Sequence, residues 1–242
     1  MTTKIIFYYF TQNNQLPEYL LQNIENSKKY ADKVILLTNA EIEIQDVHIH
    51  KIKDYPIIPV DTQNPLWKYS ITRFFAIRDF VIETKTKNVV HLEGDCILYT
   101  TVKKLKRFFD PERLAYPVDN VNRGIASIMF IPNHNAISEF CDFVLKLQKQ
   151  GIILNDMEYL GFYKNKSYLP IEPEGSKDVF DAAAIGQILG GTHAIPDIPF
   201  VNETCYVDYS KYSIERKSDG YYIKDSKIHV LHIHSKKLFK FF

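Results

Sequence analysis

The spacing of apolar and polar positions along this chain of 242 residues changes character near its middle. In the first half, short apolar runs alternate with longer stretches of helical spacing. Ile5–Phe10 reads as a strand, Pro17–Ala31 as a helix, and Lys33–Leu37 and Val47–Ile52 as strands. Pro65–Thr84 follows as a long helix and Asn88–Leu92 as a further strand. Alternation of this kind predicts an α/β fold with a Rossmann-like, mostly parallel central sheet and helices on both faces. The second half is more mixed. Leu114–Val118 and Ile125–Ile131 read as strands, and Asn135–Gln150 as an amphipathic helix. Short helices are expected at Asp156–Tyr163 and Val179–Leu189, and a last strand at Lys227–Ile233. No repeat, low-complexity linker or shift in composition divides the chain, so residues 1–242 are read as one domain. Ligands of such sheets sit beyond the carboxyl ends of the strands, here after Leu37, Leu92 and Ile131.

The strand Val89-Val90-His91-Leu92 runs straight into Glu93-Gly94-Asp95. Two carboxylates two residues apart on extended backbone point the same way, and the glycine between them admits a ligand close to the backbone. The pair suits a hard divalent cation, Mn²⁺ or Mg²⁺, that bridges protein oxygens to a diphosphate. The plainer reading is a polar strand end followed by a turn.

On the helix Pro65–Thr84, at about 100° per residue, Lys68, Thr72, Asp79 and Glu83 form one narrow polar stripe. Arg78 projects among Trp67, Ile71, Phe74, Phe75, Val81 and Ile82, and Arg73 lies beside Leu66, Ile77 and Phe80. Buried guanidinium groups need carboxylate or phosphate partners. One is expected to hold Asp95 or Glu93 and the other to reach a phosphorylated ligand, unless both form structural ion pairs. Near the carboxyl terminus, alternation puts Leu231 and Ile233 on one side of the strand and His232, His234 and Lys236 on the other. Two imidazoles and an ammonium suit a metal and phosphates better than they suit a core. A solvated edge-strand face is the plainer alternative. His48 and His50 make a similar pair with no acid or lysine cluster following, and read as strand decoration.

The net charge of +1 gives no general pull toward nucleic acid, so phosphate binding must be local. Three cysteines, Cys96, Cys141 and Cys205, lack metal-type spacing and fit a reduced, cytoplasmic setting. Ile5–Phe10 is too short for a signal peptide or a membrane span, and no run approaches about 18 apolar residues. The tail Lys237–Phe242 mixes lysines with aromatics and suits peripheral contact with a membrane or a partner subunit. A last helical turn tucked onto the core is the plainer reading. Lys103, Lys104, Lys106 and Arg107 suit a phosphorylated or lipid-linked acceptor, or simply a solvated helix face.

Taken in order, five segments resemble GT-A-fold glycosyltransferases, specifically small bacterial and viral polysaccharide-building enzymes. They are Leu66-Trp67 with Arg73-Phe74-Phe75, His91-Leu92-Glu93-Gly94-Asp95, and Ala126-Ser127-Ile128-Met129. Phe180-Asp181-Ala182-Ala183-Ala184-Ile185-Gly186-Gln187 with Gly190-Gly191, and Leu231-His232-Ile233-His234-Ser235-Lys236, complete the set. The resemblance implies that about residues 1–100 bind the nucleotide and about 101–242 serve sugar and acceptor. It implies metal binding by Asp95 and a C-terminal histidine, with His234 preferred over His232, and contact of Lys236 with the donor diphosphate. Tyr8 to Thr11 and Asn39 would cradle the nucleoside, Ser127 would line the sugar pocket, and Gln187 would help bind the donor. The family's first acid is commonly aspartate. Glu93 departs from that and could instead reach the ribose or a metal-bound water.

An inverting transferase needs a carboxylate base near the acceptor hydroxyl, for which Asp156, Glu158 and Asp181 qualify. Asn155 would cap the helix starting at Asp156, which then becomes a helix-start charge. Asp181 could instead bind sugar hydroxyls. The expected activity is hexosyl transfer from a UDP- or GDP-sugar to a glycan or lipid-linked acceptor. Two alternatives are a nucleotidyltransferase or nucleotide-sugar hydrolase on a related fold, and a non-catalytic module that binds a sugar nucleotide or glycan. The lack of a glycine-rich triphosphate loop near the N-terminus argues against the nucleotidyltransferase.

Overall fold

A computed structural model describes residues 2–52 and 65–242. The side chains of Leu66 and Trp67, part of the second-helix motif, lie outside the described residues. The chain begins with β1 (Lys4–Tyr9), α1 (Glu18–Ser27), β2 (Lys33–Thr38), β3 (Val47–Lys51), α2 (Pro65–Glu83) and β4 (Val89–Leu92). Next come β5 (Cys96–Leu98), α3 (Val102–Leu105), β6 (Leu114–Asn120), β7 (Arg123–Gly124), β8 (Ile128–Ile131), α4 (His134–Lys149) and α5 (Asp156–Phe162). The last part holds β9 (Lys166–Leu169), β10 (Asp178–Phe180), α6 (Ala184–Gly190), β11 (Ile214–Lys217), β12 (Gly220–Ile223) and β13 (Ser226–His232).

Two sheets form. The larger has the order β3-β2-β1-β4-β8-β6-β7, with β9 on β6. Its β3, β2, β1 and β4 run parallel, and β8 is antiparallel to both β4 and β6. Alternate side chains of one strand enter cores on opposite faces of this sheet. Ile5 and Phe7 pack with Leu20 and Ile24 of α1, whereas Ile6 packs with Ile71 and Phe74 of α2 and Phe140 of α4. All four residues of β4 are buried, as a strand covered on both faces requires. Local signals set the helix starts. The Asn133 side chain accepts from the Ala136 amide, and Asn155 and Glu158 form a reciprocal capping box on α5.

The smaller sheet has the order β10-β13-β12-β11, with β5 on the other edge of β13. It differs from the sequence expectation in several elements. Val179–Leu189 is not a single helix: β10 pairs in parallel with β13, and the helix starts only at Ala184. A short apolar run has no period that separates strand from helix, so pairing decides. The strand β5 and the polar hairpin β11–β12 likewise carry no apolar alternation that would mark them. The tail closes as one tight turn with Leu238 and Phe241 buried and Phe239 62% exposed, close to the plainer expectation. No described helix is long and apolar enough to cross a membrane.

The site depends on where β13 ends beside β5. Its end pairs antiparallel with β5, with His232 opposite Cys96, and the Ile233 amide donates to the Asp95 carbonyl at 2.8 Å. α6 lies so close to this strand that a Cβ on Gly186 would sit 1.9 Å from the His232 carbonyl oxygen. Gly186→Ala is therefore expected to force α6 off β13 and to lower unfolding free energy by on the order of 3 kcal/mol. Urea denaturation of the two proteins side by side checks this.

Candidate active site

Glu93 and Asp95 follow β4 at the carboxyl edge of the larger sheet, and each is held by a cation from a different element. Arg73 of α2 is buried and forks between two carboxylates, Glu93 through Nη1 and Asp156, at the start of α5, through Nη2 at 2.5 Å. The Lys236 ammonium sits on Asp95 Oδ2 and 4.8 Å from the centre of the Tyr19 ring. His232 closes the gap. Its Nε2 lies 3.4 Å from Glu93 Oε2 and 3.4 Å from Asp95 Oδ1, and its Nδ1 is 2.6 Å from the Ala182 carbonyl oxygen. The result is a chain of alternating charge: Asp156, Arg73, Glu93, His232, Asp95, Lys236. One ligand atom each from Glu93, Asp95, Cys96 and His232 falls within a 4.8 Å span, so these four residues can hold a metal ion.

The proton affinities follow from this order. Burial alone would raise both acidic groups, but Lys236 and His232 outweigh it and hold the Asp95 carboxyl well below its usual range. Arg73 and His232 do the same, less strongly, for Glu93. For Asp156 burial wins over Arg73, and its proton affinity rises. Burial opposes charge on His232, yet Cys96 and Asp95 together raise it well above an ordinary imidazole. His234 stacks on His232 with ring centres 4.2 Å apart and is lowered to about 3, first by burial and then by its charged neighbour.

The expected site residues divide into those the fold brings together and those it uses elsewhere. Asp95, Glu93, Arg73, His232 and Lys236 converge. His234 lies behind His232, and its Nε2 is buried with no hydrogen-bond partner among the described residues. The imidazole that meets the carboxylates is therefore His232 rather than the preferred His234. The reason is that β13 ends at His232, after which the chain turns through Lys236 at φ 61°. Asp181 is fully buried, and its oxygens accept from the amides of Ile185, Gly186 and His232. That use as a clamp between α6 and β13 replaces the base or sugar ligand expected there. The Ser127 hydroxyl is also buried and donates to the Asp181 carbonyl at 2.9 Å, so it lines no open pocket.

Arg78 stands on a different side of α2 from Arg73. Its Nε donates to Asp79 at 2.8 Å and its guanidinium covers Phe75, because five helical residues turn it about 140° away from Arg73. Thr11 and Asn39 stand beyond β1 and β2 as expected, but they bond to each other: the Thr11 amide donates to Asn39 Oδ1 at 2.8 Å, and Asn39 Nδ2 to the Thr11 carbonyl at 2.7 Å. Burial raises the Tyr8 phenol, partly offset by Arg73, and the hydroxyl has no hydrogen-bond partner among the described residues. The same holds for Gln187 Oε1, buried on α6. Lys103, Lys104 and Arg107 are exposed, and Arg107 pairs with Asp178 at the end of β10 away from Asp181.

Two residues escape a reading of the sequence alone. Cys96 lacks metal-type spacing, but spacing is a local rule, blind to ligands brought from another strand. Asp119 ends β6, which runs in the same direction as β4, so it reaches the same sheet edge as Glu93. An acid closing a strand is the available signal. Its carboxylate is 0% exposed, has no hydrogen-bond partner among the described residues, and faces Arg123 Nη2 at 3.2 Å. Burial pushes its proton affinity up to about 6, against the pull of Arg123.

No family model matches the sequence, and no curated protein matches it. Solved structures do match. The galactosyltransferase LgtC, in complex with donor and acceptor sugar analogues, is 11% identical and superposes with a TM-score of 0.54 over 96% of this chain and 87% of that one. A structure of LgtC carrying a single active-site substitution gives 0.54 at 10% identity over the same shares. The glycosyltransferase GlyE of Streptococcus pneumoniae TIGR4 is 17% identical over 70% of this chain and 45% of that one, at 0.46. The chain thus has the mixed α/β fold of the GT-A glycosyltransferases, with a mainly parallel central sheet flanked by helices.

Removing Arg73 strands two buried carboxylates at once. Arg73→Ala is expected to cost about 3–5 kcal/mol, and Arg73→Lys to recover only part of it, since an ammonium lacks the planar fork. Equilibrium urea unfolding at neutral pH reads both. For Asp119 the folded state favours the neutral acid, so its contribution is full below the unfolded value of 3.8 and is lost as pH rises through about 6. Asp119→Asn is expected to gain in urea midpoint over the wild type at pH 7, with the advantage shrinking toward pH 4.

Proposed function

We propose that this protein is a metal-dependent glycosyltransferase that moves a sugar, most simply a hexose, from a UDP- or GDP-sugar to a glycan or lipid-linked acceptor. The observation that carries the reading is the meeting of Glu93, Asp95 and His232 at the carboxyl edge of the sheet, with 3.4 Å from His232 Nε2 to each carboxylate. Acids from mid-chain and an imidazole from its end converge there, on a fold found in sugar transferases.

Asp95, Glu93 and His232 would hold Mn²⁺ or Mg²⁺. Such an ion neutralises charge building on a leaving diphosphate. The remaining work falls to side chains of the chain. Arg73 fixes Glu93, and Asp156 in turn fixes Arg73. Lys236, now on Asp95, supplies a second positive charge at the same edge. Tyr8 and Gln187 offer buried polar atoms without partners among the described residues, and suit donor binding. Of the three acids expected to qualify as base, Asp181 has both oxygens occupied, and Glu158 accepts from the Asn155 amide in the capping box of α5. Asp156 keeps Oδ1 unpartnered among the described residues, and its raised proton affinity suits accepting a proton from the acceptor.

Isothermal titration with UDP and GDP tests the reading. Tight binding is expected with Mn²⁺ or Mg²⁺ and loss of at least about tenfold without them, about 1.4 kcal/mol. Asp95→Asn should bring the same loss. Equal affinity with and without metal, or unchanged metal-dependent affinity in Asp95→Asn, overturns it. With donor and acceptor supplied, release of nucleoside diphosphate marks sugar transfer, whereas release of pyrophosphate or nucleoside monophosphate marks attack at phosphorus.

A further inference from the structure

We propose that Cys96 is a fourth ligand of this centre and makes it a zinc site, in which Glu93, Asp95, Cys96 and His232 enclose the ion and exclude a diphosphate. The pairing of β5 with β13 sets Cys96 opposite His232, so both side chains project from one face of the strand pair. The thiol sulfur, one ring nitrogen of His232 and one oxygen each from Glu93 and Asp95 all lie within 4.8 Å of one another. Two nitrogen or oxygen ligands at tetrahedral Zn²⁺ bond lengths stand about 3.4 Å apart. His232 Nε2 is at 3.4 Å from both carboxylates, so two of these ligand pairs already have that spacing.

The surroundings are those of a metal ligand set. His232 Nδ1–H donates to the Ala182 carbonyl, which turns Nε2 toward the acids and fixes the tautomer that can bind. Arg73 orients Glu93 through its other oxygen. A thiol changes the choice of ion, because Mg²⁺ and Mn²⁺ prefer oxygen and leave sulfur unused, whereas Zn²⁺ takes thiolate, imidazole and carboxylate together. On zinc binding the S–H bond of Cys96 gives way to a sulfur–zinc bond and its proton leaves to solvent. Any proton on His232 Nε2 leaves with it. Four protein ligands leave no open position. Zinc therefore competes with the ion that carries the donor, a consequence that rests on the function proposed above, although the zinc site does not.

Cobalt(II) serves as the probe. Metal-stripped full-length protein titrated with Co²⁺ is expected to show the near-ultraviolet band of a thiolate–cobalt bond and the intense visible bands of four-coordinate cobalt. Cys96→Ser should abolish the thiolate band and weaken Zn²⁺ binding by at least about 100-fold. Cys141→Ser, a buried thiol in a different core, should change neither. The wild-type spectrum needs no variant to fold: a bound cobalt without the thiolate band, or no bound cobalt, overturns the proposal. So does unchanged zinc affinity in Cys96→Ser. If Mn²⁺-dependent nucleotide binding persists in that event, the thiol ligand has failed and sugar transfer stands. If that binding is also absent, both have failed.

Discussion

A guanidinium taken out of water costs several kcal/mol unless carboxylates receive it in good geometry, and Arg73 is buried to 6% exposure. Its two nitrogens answer that cost with two acids from distant parts of the chain, Glu93 after β4 and Asp156 at the start of α5. The fork ties a helix on one face of the larger sheet to its carboxyl edge and to the first turn of a second helix. From Glu93 the alternation of sign continues through His232 and Asp95 to Lys236. Each charge in this line is held by its neighbours, so Glu93 and Asp95 are oriented and their proton affinities lowered.

The same requirement explains why several ligand-like residues act as scaffold. A buried polar atom must be bonded, and the nearest bonding groups here are often backbone. Asp181 spends both oxygens on three amides and so fastens α6 to β13. Ser127 then bonds the Asp181 carbonyl, and Thr11 and Asn39 satisfy one another across the ends of two strands. These contacts fix where β13 delivers His232. Tyr8 Oη, Asp156 Oδ1, Gln187 Oε1 and His234 Nε2, each on a residue expected at the site, are left without partners among the described residues.

Much of the first half of the fold was legible because its strands and helices carry their own periods. Ile5, Ile6 and Phe7 must enter cores on both faces, and the runs at β2 and β4 repeat that demand. The acid pair after β4 was visible for a related reason: a polar group directly after a buried strand stands at a sheet edge. Of the smaller sheet, β13 was legible as the expected strand Lys227–Ile233, and its partners were not. β5 has three residues and β11 is mostly polar, so neither carries a period, and both exist through pairing.

By itself, then, the sequence determined which faces of the first half are buried, where α2 and α5 start and that two acids close a central strand. Strand alternation also led to the expectation that His232, His234 and Lys236 share one side of the last strand, but β13 ends at His232 and the chain turns through Lys236. Only the tertiary structure decided that His232 meets the carboxylates while His234 stacks behind it, that Arg78 turns toward Asp79, and that Cys96 joins the cluster. Those outcomes depend on strand register and on where a strand ends. Register is set by partners that can lie more than a hundred residues away, and no local pattern records it.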